Sequence, residues 1–392
     1  MSERTVYFAG GGSGGHIFPN MAVLERLRER GFQGKAIFCV SDRALDAQII
    51  SAMSDDNVTA LPLVVRPWTS KPWRWPRFLS AWRSSVLAIK SALAENPGVV
   101  ISTGGFVSGP PIVAASKLGM PAALVNLDAV PGRANCRIAR NASGIFSTYE
   151  TTALKGALPL GLPLRRSAVG ALSVAESRAS FELAPDRSTI LVCGGSQGAQ
   201  SVNNAVVQMF KNANESEDVA CRFLRNCQVL HITGQGKDEA IREGYAKLNV
   251  LAKVIPFCDR MGDAWRSATF AISRSGAGSV AEAWANRVPT IFLPYPFHRD
   301  DHQKHNAQAI VEAGGGVVLT DQIDPDSNAA ALLRATKEHF GDTKMAGQSG
   351  NEQLSQNSLS VHKLEQMQAA LAGNCPPDGA DILAKWVLES LA

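Results

Sequence analysis

The chain has 392 residues, 45% hydrophobic and 19% charged, with a formal net charge of +4, more than one hydrophobic core ordinarily holds, so two domains of ordinary size are expected. No apolar run reaches the ~18 residues of a membrane-spanning helix, no signal-like segment precedes the first strand, and the modest charge gives no reason to expect a nucleic-acid partner, all of which points to the cytosol. The seven cysteines form no CxxC pair, and several sit in apolar runs such as "AIFCV" around Cys39, so free buried thiols are expected rather than disulfides or a zinc site.

The first strand signal is Val6 to Ala9, and helical spacing begins at Met21. Between them lies "GGGSGGHIFPN", residues 10–20. A glycine turn from strand to helix brings backbone N–H groups within reach of a phosphate. The spacing does not suit a dinucleotide loop, because the turn ends in His16 and no acidic residue closes a second strand about twenty residues on. A second strand is expected at Lys35 to Val40. The stretch "RPWTSKPWRWPRFLSAWR" (66–83) then carries five basic residues, no acidic one and four of the seven tryptophans. A helix is expected from about Arg77, with Leu79, Trp82, Val86, Ile89 and Leu93 at helical steps. That stripe reads as a core face. The Trp68, Trp73 and Trp75 loop before it fits either a solvated connection or the surface of an anionic bilayer.

Further strands are expected at Val99 to Ser102, Ala122 to Val125 and Gly144 to Ser147. "STGGFVSGPP" (102–111) adds a second glycine turn at a strand's carboxyl end, where open α/β sheets bind ligands. Proline and glycine break the pattern at "GALPLGLPLRRSA" (156–168), after which "STILVCGGSQGAQSVNNAV" starts a second strand, glycine turn and helix. The small residues of "SRSGAGSVAEAW" (273–284) lead into a helix whose N-terminus offers unpaired N–H groups to a diphosphate. "PYPFHRDDHQKHNA" (294–307) gathers His298, His302 and His305. The cluster lies on a loop entering a helix, and the glycine turns already supply anion sites, so no metal site is expected. Asp324-Pro325-Asp326 reads as a solvated turn. The terminal "ADILAKWVLESLA" has Ile382, Leu383, Trp386 and Val387 on one helical face, which needs a partner surface.

Taken in series, "GGGSGGHIFPNMAVLERLRERG", "STGGFVSGPPIVAASKLGMP", "DAVPGRANCRIAR", "LVCGGSQGAQSVNNAV" and "SRSGAGSVAEAW" followed by "DDHQKHNA" resemble the MurG family, the bacterial UDP-N-acetylglucosamine to lipid I N-acetylglucosaminyltransferases. The resemblance implies an α/β GT-B fold: two Rossmann-like parallel-sheet domains facing across a cleft, with a C-terminal helix returning to the N-domain. Residues 1–164 would form the acceptor-binding, membrane-facing domain, 165–372 the UDP-sugar domain, and 373–392 the returning helix. Ser13, Gly14, Gly15, Arg165, Ser196, the helix start Ala277, Gly278, Ser279 and Val280, Glu282 and Gln303 match substrate-binding positions. Glu282 would bind the ribose, Gln303 the sugar, and the helix N-terminus the diphosphate. His16 matches the family's candidate general base or acceptor-positioning histidine, and histidine as a residue type titrates near neutrality. Asp128, in "NLDAVPG", stands where the family carries an asparagine. Aspartate only accepts hydrogen bonds when ionised, so Asp128 is read both as a substrate contact and as an alternative catalytic residue.

The implied reaction is an inverting transfer from UDP-N-acetylglucosamine to the C4 hydroxyl of lipid I, giving lipid II for peptidoglycan. No cofactor or metal is implied. The implied partners are the donor, the lipid acceptor, an anionic membrane surface and cell-wall synthesis proteins. The implied location is peripheral, at the cytoplasmic face of the cell membrane. Two alternatives stand beside this reading: a GT-B transferase for another lipid acceptor, and a non-catalytic UDP-sugar-binding relative.

Overall fold

Short apolar runs bounded by glycine become parallel strands here, and each amphipathic run between them becomes a covering helix. The computed structural model describes residues 4–12, 14–66, 71–195, 197–297, 301–340 and 357–392. Trp68 and His298 lie outside the described residues. The chain divides into two units, one of Met1–Arg166 with Pro376–Ala392 and one of Ser167–Cys375.

The first unit runs β1 (Thr5–Ala9), α1 (Gly14–Glu29), β2 (Lys35–Ser41), α2 (Ala44–Ser51), β3 (Val58–Leu63), α3 (Trp75–Glu95), β4 (Gly98–Ser102), α4 (Gly109–Lys117), β5 (Ala122–Asn126), α5 (Arg133–Ile138), β6 (Gly144–Ser147) and β7 (Leu158–Pro159). The second runs α6 (Val174–Ser180), β8 (Thr189–Cys193), α7 (Gln200–Glu215), α8 (Val219–Asn226), β9 (Gln228–Ile232), α9 (Asp238–Lys247), β10 (Ala252–Ile255), α10 (Met261–Ser267), β11 (Phe270–Ser273), α11 (Ala277–Ala285), β12 (Thr290–Phe292), α12 (His302–Glu312), β13 (Gly316–Val318), α13 (Pro325–Phe340) and α14 (Asn357–Gly373). The last helix, α15 (Gly379–Leu391), belongs to the first unit.

The first sheet has the order β3-β2-β1-β4-β5-β6-β7, all parallel. Every residue of β1 and β5 is buried, as expected of strands covered on both faces. The edge strand β3 was not among the expected strands. It carries Pro62, which no central strand tolerates, and most of it is not buried. In α3 the expected stripe divides: Val86, Ile89 and Leu93 are buried in the core, while Leu79 is 55% exposed. The helix also starts two residues before Arg77.

Helix α15 buries Leu383, Ala384 and Val387 and packs on α1. Asp378 caps it by accepting from Ala380 N and Asp381 N, and also accepts from Nε of the buried Arg26 at 2.8 Å. Trp386 meets Phe146 edge-on.

The second sheet has the order β10-β9-β8-β11-β12-β13, again all parallel, over a core that includes Ile190, Val192, Phe210, Phe270 and Leu332. Within it His231 is fully buried. Its Nε2 lies 3.1 Å from Asn203 Oδ1, and its Nδ1 lies 2.9 Å from the Tyr245 hydroxyl. Asn203 already donates through Nδ2 to Thr233 O, so its Oδ1 accepts from Nε2–H while Nδ1 accepts from Tyr245.

Burial favours this neutral imidazole over the charged form and pushes the His231 pKa down to about 3. An unfolded histidine binds its proton near pH 6.5. Stability from this site is therefore complete above about pH 6.5 and is lost as the pH falls towards about 3. In denaturant titrations the stability of the wild type should fall over that window more steeply than that of His231→Gln, and identical pH slopes would remove the site as the cause.

Candidate active site

In each sheet the chain reverses direction of travel beside the first strand, and ligands of open α/β sheets sit at the carboxyl ends there. In the first sheet those ends belong to β1 and β4. Two glycine turns follow them and meet at His16.

Gly104 and Gly105 adopt φ of +96° and +80°. A Cβ on Gly105 would lie 3.1 Å from His16 Cδ2, and one on Gly104 would lie 3.5 Å from His16 Cε1. Glycine there supplies both the left-handed backbone and the room for the imidazole. The first turn is pinned from below: Gly12 N donates to Asp46 Oδ2 at 2.8 Å, and Gly12 O accepts from Arg43 Nη1. Asp46 is fully buried and accepts also from Ser41 N and its hydroxyl.

His16 lies in the first turn of α1, half-buried, with Nδ1 3.0 Å from Thr103 O. A carbonyl can only accept, so neutral His16 carries its proton on Nδ1 and presents Nε2 as the basic nitrogen. Asn20 Nδ2 donates to Thr103 Oγ1 and to His16 O, fixing both strand end and helix start. The same Cβ on Gly104 would also meet Asn135, whose Nδ2 donates to Asn126 Oδ1 at 3.2 Å. Asn126 in turn donates to Asp128 O at 2.7 Å. Asp128 is half-buried, and after burial itself its charge is the next influence raising the Tyr149 hydroxyl pKa.

Beside this edge lies a cavity of about 310 Å³ walled by Phe78, Leu79, Trp82, Phe106 and Ile138, with Arg66, Arg133 and Arg137 also in its lining. Gly105 lines it too, so the glycine that accommodates His16 also borders an apolar, cation-bearing pocket. Arg66 is not unopposed: it pairs with Asp42 at 3.0 Å.

In the second sheet the corresponding ends belong to β8 and β11. Gly195 and Gly198 have φ of +83° and +66°, and no atom would crowd a Cβ on Gly195. Helix α11 begins without a side-chain cap, and neither Gly276 nor Gly278 has a neighbour within 4 Å of a built Cβ. The N–H groups of Ala277, Gly278 and Ser279 lie in the first turn of the helix, where no intrahelical carbonyl is available to them. Val280 differs: its side chain is buried and its N–H already donates to Gly276 O.

Glu282 accepts from the buried Trp265 Nε1 at 2.8 Å, which orients its carboxylate. Gln303 Oε1 accepts from Tyr295 N at 2.9 Å. Because that N–H can only donate, it fixes the orientation of the amide, with Oε1 towards Tyr295 N and the donor pair on Nε2.

Of the expected residues, Gly14, Gly15, His16 and Asp128 lie at the first sheet's edge, and Ala277 to Val280 and Glu282 on α11, with Gln303 on α12. Arg165 lies in the first unit, its guanidinium stacked 4.1 Å over Phe18 of α1. Ser13 and Ser196 lie outside the described residues. Asn126, Asn135, Asp46 and Arg274 were not picked out from the sequence. The available signal was a polar residue directly after, or ending, an apolar strand, as with Asn126 in "ALVN".

The description of the glycosyltransferase family 28 N-terminal domain matches residues 6–147, and that of the family's C-terminal domain matches residues 189–366. A UDP-N-acetylglucosamine–N-acetylmuramyl-(pentapeptide) pyrophosphoryl-undecaprenol N-acetylglucosamine transferase of Nocardioides sp. is 34% identical over 98% of this chain and 97% of its own. The transferase of the same name from Clavibacter michiganensis is 35% identical over 84% and 87%. The crystal structure of Acinetobacter baumannii MurG superposes with a TM-score of 0.71 at 20% identity, covering 99% of each chain. A UDP-glucose:anthocyanidin 3-O-glucosyltransferase reaches 0.64 at 12% identity, covering 100% of this chain and 99% of its own. One fold thus carries acceptors of different chemistry, and the sequence relatives, not the fold, narrow the acceptor.

Proposed function

Since the chain belongs to the glycosyltransferase family 28 transferases named for UDP-N-acetylglucosamine and N-acetylmuramyl-(pentapeptide) pyrophosphoryl-undecaprenol, we propose that it moves N-acetylglucosamine from UDP-N-acetylglucosamine to the C4 hydroxyl of the muramoyl sugar of lipid I. The product is lipid II, for peptidoglycan synthesis. The observation that carries the chemistry is the tethered His16: with Nδ1–H held by Thr103 O, its Nε2 is the base.

In the reaction Nε2 takes the C4 hydroxyl proton as that oxygen attacks C1 of the donor sugar from the face opposite the diphosphate. The bond from C1 to the β-phosphate oxygen breaks, and UDP leaves with the electron pair, so an α-linked sugar becomes β-linked. The N–H groups at the start of α11 stabilise the charge that gathers on the leaving diphosphate. Glu282 accepts from the ribose hydroxyls, and Gln303 Nε2 donates to the sugar. The turns at Gly10 to Gly15 and Gly104 to Gly105 receive the acceptor's diphosphate, and the apolar cavity at Trp82 takes lipid adjoining it. Asp128 borders the same acceptor site.

No helix among the described residues is long and apolar enough to cross a membrane. With a lipid-anchored acceptor and a nucleotide-sugar donor, the protein acts peripherally, at the cytoplasmic face of an anionic membrane.

The test is acceptor-dependent UDP release with lipid I. Turnover is the expected result; UDP-N-acetylglucosamine binding without turnover, or turnover only with another lipid, would overturn the reading. At the donor site Glu282→Ala should weaken UDP-N-acetylglucosamine binding by at least about 1.5 kcal/mol, roughly tenfold, because ribose loses a charged acceptor. Glu282→Gln keeps an acceptor for Trp265 Nε1 and should lose less. Unchanged calorimetric affinity in both variants would remove Glu282 from the site.

A further inference from the structure

A single buried side chain ties together the loops that carry the donor-site residues. Arg274 follows β11 directly and is 7% exposed. Its Nη1 donates to Leu293 O at 2.7 Å and Pro294 O at 3.0 Å, in the loop after β12. Nη2 donates to Ser201 Oγ at 2.7 Å, in the first turn of α7 after β8. The same guanidinium pairs at 2.7 Å with Asp321, whose side chain is fully buried after β13. Four adjacent strands, β8, β11, β12 and β13, therefore have their carboxyl-end loops joined at one group.

The carboxylate of this cluster is equally well held. Asp321 Oδ2 accepts from the Ser201 hydroxyl, and Oδ1 accepts from Asn328 Nδ2 and Ile323 N. Burial works to raise its pKa, yet these hydrogen bonds and the Arg274 charge outweigh it and hold the carboxyl below its ordinary range. A buried ion pair is a poor source of net stability, because desolvating two charges offsets most of their attraction. What it supplies is direction: a planar guanidinium fixes several acceptors at set angles, which a lysine ammonium cannot do.

Those angles bear on the donor. Arg274 lies two residues before Gly276, the N-cap of α11. Pro294, which accepts from it, precedes Tyr295, whose N–H holds the Gln303 side chain. We propose that Arg274, fixed by Asp321 and Ser201, is a positioning residue for the UDP-sugar: it sets the N–H groups at the start of α11 against Gln303, and so the diphosphate against the sugar. This rests on the donor assignment above, and it adds a residue that touches no substrate.

The experiment measures KM for UDP-N-acetylglucosamine, KM for lipid I and, independently of turnover, calorimetric binding of UDP. Arg274→Lys keeps the charge and loses the fork. It should raise the donor KM about tenfold and weaken UDP binding, with the acceptor KM unchanged. Ser201→Ala removes one arm of the cluster and should raise the donor KM about threefold, which keeps the test open should Arg274→Lys fold poorly. Guanidinium ion, but not ammonium, should restore donor KM to Arg274→Ala. The proposal is overturned if donor and acceptor KM rise together, if neither moves in Arg274→Lys and Ser201→Ala, or if UDP binding is unchanged in both. An absence of wild-type turnover with lipid I would instead defeat the transferase reading, and UDP calorimetry would still decide the role of Arg274.

Discussion

His16→Ala is expected to lower kcat on lipid I by about 10² to 10⁴, the usual contribution of a positioned general base, while UDP binding stays within about twofold. The asymmetry follows from placement. The imidazole is held at the carboxyl edge of the first sheet by Thr103 O, whereas the N–H groups of α11, Glu282 and Gln303 belong to the second unit. Because Thr103 contributes a backbone carbonyl, the tether survives most side-chain replacements at position 103, and the decisive substitution is at His16 itself. His16→Gln retains a hydrogen-bonding side chain of similar reach but no basic nitrogen, so it should be nearly as impaired as alanine if proton transfer is the role. If it retains most of the activity, His16 orients the acceptor rather than deprotonating it. If both variants turn over within a few fold of wild type, the base lies elsewhere, and Asp128, linked through Asn126 and Asn135 to Gly104, is the first candidate.

Much of this edge was legible in the sequence for a physical reason. Strands covered on both faces become uninterrupted apolar runs, and turns that need positive φ or close approach become glycines, so β1, β4, β5, β8 and their turns stand out. The edge strand β3 did not, because Pro62 and its exposed positions resemble a loop. His16 was visible because it ends a glycine turn. Asn135 was not, since its partner Asn126 and its neighbour Gly104 meet only through the order of strands in the sheet. Arg274 was hidden more deeply: its contacts at Ser201, Leu293 and Asp321 come from distant parts of the chain, and an arginine beside small polar residues gives no sign that it is buried. The Trp-rich stretch shows the opposite limit, because helical spacing continued through α3 although only its later turns face a core.

That division within α3 leads to the second large effect. Trp73, Trp75 and Leu79 are 71%, 41% and 55% exposed, so this apolar surface is not what holds the first unit together, whereas Val86, Ile89 and Leu93, further along α3, belong to its core. Lys71, Arg74 and Arg77 lie in the same short stretch. Arg66 pairs with Asp42 at 3.0 Å, so part of its charge is locally compensated. Each remaining cation near an anionic bilayer is worth about 1 kcal/mol and is screened by salt. Replacing Lys71, Arg74 and Arg77 together with serine should therefore weaken binding to anionic vesicles by about 3 kcal/mol at low salt, on the order of a hundredfold, and Arg66→Ser should add little. Trp73→Ala with Trp75→Ala should remove the binding that persists in high salt, because indoles at a bilayer interface are held by apolar and interfacial contact rather than by charge. Turnover on a short-chain, water-soluble acceptor should survive both sets, which separates attachment from chemistry. Vesicle binding untouched by either set would make the stretch a solvated connection. A loss of soluble-acceptor turnover in step with vesicle binding would instead place these side chains in the acceptor site, beside the cavity that Leu79 and Trp82 already line.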